Sequence, residues 1–187
     1  MSRLTTKIPD ELNPEQRAEY DDLARTRPPR EDGAIGGPFD AWLLSPELSH
    51  RLRGLAVLLW ERTSLDRGLV ELAICITGRY WEANVEWAAH APRAIEYGIA
   101  PQVLDDVFAQ RRPDSAPAEQ QLLYDVCTAL HHTRALSEPL QARAVATFGE
   151  HGLVELISVI GFYALVSMTL NAFEIPVAPG QETPFPR

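Results

Sequence analysis

The chain has 187 residues, 45% of them hydrophobic, with a formal net charge of −9 and a pI near 5.0. That length holds one sizeable domain, the apolar content excludes global disorder, and the acidic balance argues against nucleic acid, which needs a basic footprint. Cys75 and Cys127 are the only cysteines and form no CxxC pair, which argues against a dithiol redox centre, a zinc cluster and a disulfide framework.

Helix-start signals recur along the chain. Asn13-Pro14-Glu15, Ser45-Pro46-Glu47 and Ser137-Glu138-Pro139 each set a capping side chain beside a proline in the first turn. The pattern predicts helices near 14–26, 46–61, 66–78, 80–97, 101–110, 117–132, 138–149 and 152–173. Between the first two lies RTRPPREDGAIGGPFDAW, whose prolines and glycines require a loop or irregular arm. RRPDSAP is a second loop, and EIPVAPGQETPFPR closes the chain as an extended tail, since four prolines forbid a helix. No window alternates like a strand, so the fold class is all-α.

The N-terminal residues show no secretory signal, and the scarce cysteines suit a reducing compartment, so a cytoplasmic setting is expected. Residues 153–173 are apolar on nearly every side and about as long as a membrane span. No basic flank orients them, and burial in a core or between subunits is the expected use; no membrane partner is expected.

In the helix near 80–97, Arg79, Glu82, Glu86, His90 and Arg93 follow one another at steps of three or four and share a face. That stripe faces either water or an enclosed cleft. Pro92 lacks an N–H, so it leaves the carbonyl of Ala88 without its helical partner. In the preceding helix Glu71 is the only charge in an apolar run and needs a partner or a raised pKa. A turn at Gly78 would bring Glu71 back toward Glu86 and His90, giving two carboxyl groups on one imidazole, an arrangement suited to general acid–base work. The bland alternative for Glu71 is an ion pair with Arg67 or Arg79. His131 and His132, at a helix end, read as surface residues. Glu71, Glu86 and His90 offer metal-ligand atoms, but no second histidine is near and no metal is expected.

LVELAICITGRYWEANVEWAAHAPRAIEYGI resembles the carboxymuconolactone decarboxylase family, which shares its fold with alkyl hydroperoxidase D-like proteins. GPFDAWLLSPEL upstream and ELISVIGFYALVSMTLNAFEIPV downstream extend the resemblance over most of residues 37–177. The chain then divides into a helix and Pro/Gly-rich arm (1–36), the family-like helical domain (37–177) and an extended tail (178–187). The resemblance implies an all-helical subunit in a homo-oligomer, a trimer or hexamer, with the long C-terminal helix in the core and at subunit contacts. The peroxidase branch carries a CxxC ending four residues before the histidine; here those positions are Ala83 and Glu86. The branch lacking the thiol pair is therefore the nearer likeness. It implies a cofactor-free decarboxylase acting on a small carboxylated lactone or related acid, with His90, Glu86 and Glu71 catalytic. Arg79 or Arg93 would hold carboxylates, Trp87 would line the site, and Asn171 either bonds into it or is a structural amide. Peroxide reduction and non-catalytic ligand binding are the alternatives.

Overall fold

The computed structural model describes residues 2–4 and 9–185; residues 1 and 5–8 of the expected arm and 186–187 of the expected tail lie outside the described residues. The described regular structure is helical throughout, with no strand. A short 3₁₀ turn at Pro9–Glu11 is followed by α1 (Pro14–Ala24), α2 (Phe39–Trp42), α3 (Pro46–Glu61), α4 (Arg67–Tyr80), α5 (Asn84–Glu96), α6 (Pro101–Phe108), α7 (Ala118–Thr133) and α8 (Glu138–Ala172). Asn13 and Gln16 form a reciprocal capping box on α1, and Ser137 caps α8, as the sequence predicts. Ser45 precedes α3 without a side-chain cap. Asp66 supplies a cap the sequence reading had not singled out, accepting from the Gly68 N–H.

α4 is the axis of the fold. Every residue from Gly68 to Gly78 is buried, and α5, α6, α7 and α8 pack around it. A helix apolar on all sides is stable only when neighbours cover it, and each fully buried Leu or Ile contributes about 1.5–3 kcal/mol. Gly78 lets α5 come close: a Cβ added there would lie 3.1 Å from the Cβ of Glu86. The expected turn at Gly78 is corrected, since Gly78 remains helical and the chain reverses at residues 81–83, where Glu82 takes a positive φ of 49°.

The two predicted C-terminal helices follow one another within α8 and are separated, near the expected boundary, by a kink at Gly149 (φ 70°, ψ 166°), a backbone conformation essentially restricted to glycine. α8 is long and apolar enough to cross a membrane, and half of its most apolar window is buried inside the protein. Its other face exposes Val154, Ile157 and Met168 at helical spacing. A second small core of Tyr20, Leu23, Ile35 and Leu43 folds the arm back on α1. The Tyr20 hydroxyl donates to Gly33 O, and Asp40 accepts from the N–H groups of Ile35 and Gly36.

Candidate active site

Glu71 lies in the second turn of α4 with 0% of its surface exposed. Both carboxylate oxygens are engaged. The Trp60 indole N–H, near the end of α3, donates to Oε1 at 2.6 Å, and His90 Nδ1 lies 2.6 Å from Oε2. Arg67, one turn earlier, sets its Nε 3.8 Å from Oε1, a loose ion pair. Burial pulls the carboxyl upward, but the hydrogen bond and charge of His90, the Trp60 donor and the charge of Arg93 outweigh it. Glu71 is therefore held below the ordinary glutamate value.

Glu86 is placed one turn before His90 on α5 and is 4% exposed. Its Oε2 lies 3.5 Å from His90 Nε2 and makes no hydrogen bond. Burial pushes this carboxyl up; His90 and Arg93 oppose that, and Glu71 adds to it. Two carboxyl groups on one imidazole are thus displaced in opposite directions, Glu71 toward its anion and Glu86 toward its neutral form. Glu71 as carboxylate can only accept, so His90 carries a proton on Nδ1, and its Nε2 edge is turned toward Glu86.

These shifts fix the sign of a pH effect. Glu86, with a raised folded-state value, favours the fold fully below its unfolded pKa and loses that contribution as pH rises through the folded one. Glutamine mimics the neutral carboxyl. Glu86→Gln is expected to match the parent protein in urea unfolding near pH 4 and to exceed it by about 1–3 kcal/mol near pH 8. A stability difference independent of pH would show that Glu86 is not displaced upward.

Tyr163 of α8 packs edge-on against His90 at 5.3 Å between ring centroids, and burial, then Glu86 and Glu71, push its phenol up. Cys75, one turn beyond Glu71, is wholly buried; its thiol is pushed well up by burial, then by Glu71 and Glu86. Cys127 is buried and shifted the same way, so neither thiol is poised to ionise.

Of the other predicted site residues, Arg93 reaches the rim, with its guanidinium carbon 5.5 Å from the Trp60 ring centroid. Arg79 does not join the trio. Because α4 continues to Tyr80, its side chain turns to Phe108, donating to the carbonyl oxygen at 2.6 Å, and pairs with Glu82. The five-residue stripe is thereby corrected to Glu86, His90 and Arg93. Trp87 leaves the site for an aromatic cluster with Phe108 and Phe185. The Asn171 amide donates to Trp81 O at 2.6 Å, closing the end of α4. His131 is not a surface residue: it is half-buried, stacks on Tyr80 at 4.4 Å, and burial lowers it to about 4. The Ala88 carbonyl freed by Pro92 faces Gln181 of the tail, whose amide N–H approaches it at 3.5 Å, and α5 runs on through the proline.

Trp60 and Tyr163 carry no local sequence signal that places them at the site. Arg67 is marked in the sequence by its i, i+4 spacing to Glu71, as an ion-pair partner. Two surface depressions among the described residues, about 650 Å³ between α1 and α3 and about 390 Å³ beside the end of α8, do not reach the trio. The metal-like donor group among the described residues is elsewhere, at Glu19, Asp22 and His50, where Arg53 already pairs with both carboxylates.

No protein-family profile matches this sequence, and no curated protein sequence matches it. Solved structures do. An uncharacterized peroxidase-related protein from Silicibacter sp. TM1040 superposes with a TM-score of 0.75 at 14% identity, over 95% of this chain and 92% of that one. An alkylhydroperoxidase AhpD core, an uncharacterized peroxidase-related protein from Ralstonia eutropha JMP134, gives 0.75 at 15% identity over 95% and 93%. The debrominase Bmp8, as a cysteine-to-alanine variant in complex with 2,3,4-tribromopyrrole, gives 0.71 at 13% identity over 98% and 96%. At these identities the likeness establishes the fold: this chain is an all-α protein with the AhpD-like architecture.

Proposed function

We propose that the protein is a cofactor-free lyase of the carboxymuconolactone decarboxylase type, acting on a small carboxylated lactone or related organic acid by general acid–base catalysis. The observation that carries this is the buried Glu71–His90–Glu86 chain with its two carboxyl groups displaced in opposite directions. In such a decarboxylation the bond to the departing CO₂ gives its electron pair to a conjugated lactone carbonyl, forming a dienolate that needs a proton on carbon. Glu86, held toward its neutral form, is the proton source. His90, fixed by Glu71 at Nδ1, accepts or returns that proton at Nε2 and offsets charge on the developing oxyanion.

Peroxide reduction is the second reading, favoured by the names of the fold neighbours. The buried, upward-shifted thiols of Cys75 and Cys127 count against it. One experiment separates the two. Carboxylated muconolactones incubated in D₂O should release CO₂ and gain one carbon-bound deuterium, with a Cys75→Ser/Cys127→Ser double variant as active as the parent. Turnover of cumene hydroperoxide with a thiol reductant, abolished in the same double variant, would overturn the lyase assignment.

We also infer a homo-oligomer, trimer or hexamer. The exposed apolar stripe of Val154, Ile157 and Met168 on α8 supports it, since such a stripe is more stable covered than wet.

A further inference from the structure

Two guanidinium groups, of Arg67 and Arg93, stand beside the acid–base trio, and that of Arg27 lies within electrostatic reach of Arg93; Arg27 and Arg93 have no carboxylate within ion-pair distance among the described residues. Arg67 lies over the Trp60 indole, its guanidinium carbon 3.5 Å from the ring centroid, and Arg93 approaches the same ring at 5.5 Å. That indole also holds Glu71, so both cations stand one side chain away from the Glu71–His90 pair. The Nε of Arg67 is buried without a hydrogen bond. Arg27 follows α1 in the arm, where its backbone N–H donates to Leu23 O at 2.9 Å and its guanidinium lies 4.2 Å over the Phe39 ring. Arg27 is solvent-facing as a residue, yet enough protein surrounds its guanidinium to lower its proton affinity, by burial first and the charge of Arg93 next. Tyr163, packed on His90, lies within electrostatic reach of all three.

Many other arginines are neutralised in place: Arg53 by Glu19 and Asp22, Arg111 by Asp106, and Arg112 by Asp114 and Asp125. In a chain of net charge −9, acidic partners are plentiful. Two unpaired guanidiniums close enough to repel each other are instead what an incoming anion requires. Guanidinium forks match carboxylates bidentately, and an aromatic face beneath them keeps them oriented.

We propose that Arg27, Arg67 and Arg93 form an anion-binding subsite that holds the carboxylate of a small organic acid beside the Trp60 indole, with its reacting carbon facing His90 and Glu86. This rests on the acid–base assignment of the trio and names its substrate-positioning residues. Arg27 comes from the arm, so substrate binding also couples the arm to the helical core.

Benzoate is the probe, with neutral benzamide as its isostere, titrated calorimetrically at constant ionic strength into the full-length protein. Benzoate should bind and benzamide should not. The Arg27→Gln/Arg93→Gln double variant should weaken benzoate at least tenfold, about 1.4 kcal/mol, while Arg111→Gln leaves it unchanged. Equal benzoate affinity in parent and double variant, or equal binding of benzoate and benzamide, would overturn the subsite. Where a lactone is turned over, the double variant should raise KM more than it lowers kcat. Turnover with unchanged KM in the double variant sinks the subsite and spares the lyase assignment. Arginine-dependent benzoate binding without any lactone turnover does the reverse.

Discussion

Glu71→Ala is expected to cost about 3–5 kcal/mol of folding stability, the range for removing one partner of a buried ionic network. The substitution orphans two donors at once, the Trp60 N–H and the His90 Nδ1–H, and leaves a void between α4 and its neighbours at a fully buried position. Glu71→Gln separates that structural effect from the chemical one. Its oxygen keeps the Trp60 donor, while its amide N–H turns toward His90 Nδ1. His90 must then carry its proton on Nε2, facing Glu86, with the tautomer reversed. Glu71→Gln is therefore expected to lose less than half the stability that Glu71→Ala loses, yet to lose activity by ~10²–10⁴-fold. Urea unfolding of the two variants, with turnover measured in parallel, checks both halves. The stability contributed by Glu71 also has a sign in pH. Its folded-state value is lowered, so the contribution is present above the unfolded glutamate pKa and is lost as pH falls through the folded one. Acid unfolding of Glu71→Gln should accordingly be the less steep.

His90→Ala is expected to lower turnover of a carboxylated lactone by ~10²–10⁴-fold, because the imidazole lies between the two carboxyl groups. Its removal leaves Glu71 bound by Trp60, with Arg67 and the charge of Arg93 nearby, so some stability is lost as well. His90→Gln restores a donor toward Glu71 without a titrating nitrogen. It should recover stability and remain inactive, and deuterium incorporation from D₂O should vanish in both variants. Full turnover in His90→Ala would contradict the proton-transfer scheme.

The legible part of the fold lay in its punctuation. Capping residues and first-turn prolines marked α1, α3 and α8, and the unbroken apolar run around Glu71 announced a helix covered on all sides. The four-residue helix α2 escaped because Phe39 to Trp42 sit in a Pro/Gly-rich stretch with too few residues to show a period. Within the site, Glu86 and His90 were readable from i, i+4 spacing, and Glu71 from the cost of an unpartnered charge in apolar surroundings. Arg79 was misplaced by a boundary error of two residues. Arg79 belongs to α4, which continues to Tyr80, so the reversal at residues 81–83 separates it from the α5 face that carries Glu86 and His90, and it turns to Phe108. Trp60 and Tyr163 were invisible for a different reason. Each belongs to another helix, and its contact with Glu71 or His90 is made by tertiary packing that no local pattern encodes. Arg27 is the extreme case, since only the fold-back of the arm on Tyr20 and Leu23 brings it within electrostatic reach of Arg93.

A titration of the glutamate side-chain carboxyl resonances by ¹³C NMR, with Glu71 and Glu86 identified by their loss in the two glutamine variants, tests the opposed displacement most directly. Glu71 should lose its proton below the ordinary glutamate range and Glu86 above it, the second change vanishing in Glu86→Gln alone. If both carboxyls titrate together within the ordinary range, His90 is bracketed by two anions at neutral pH, and no proton is stored at the site for chemistry.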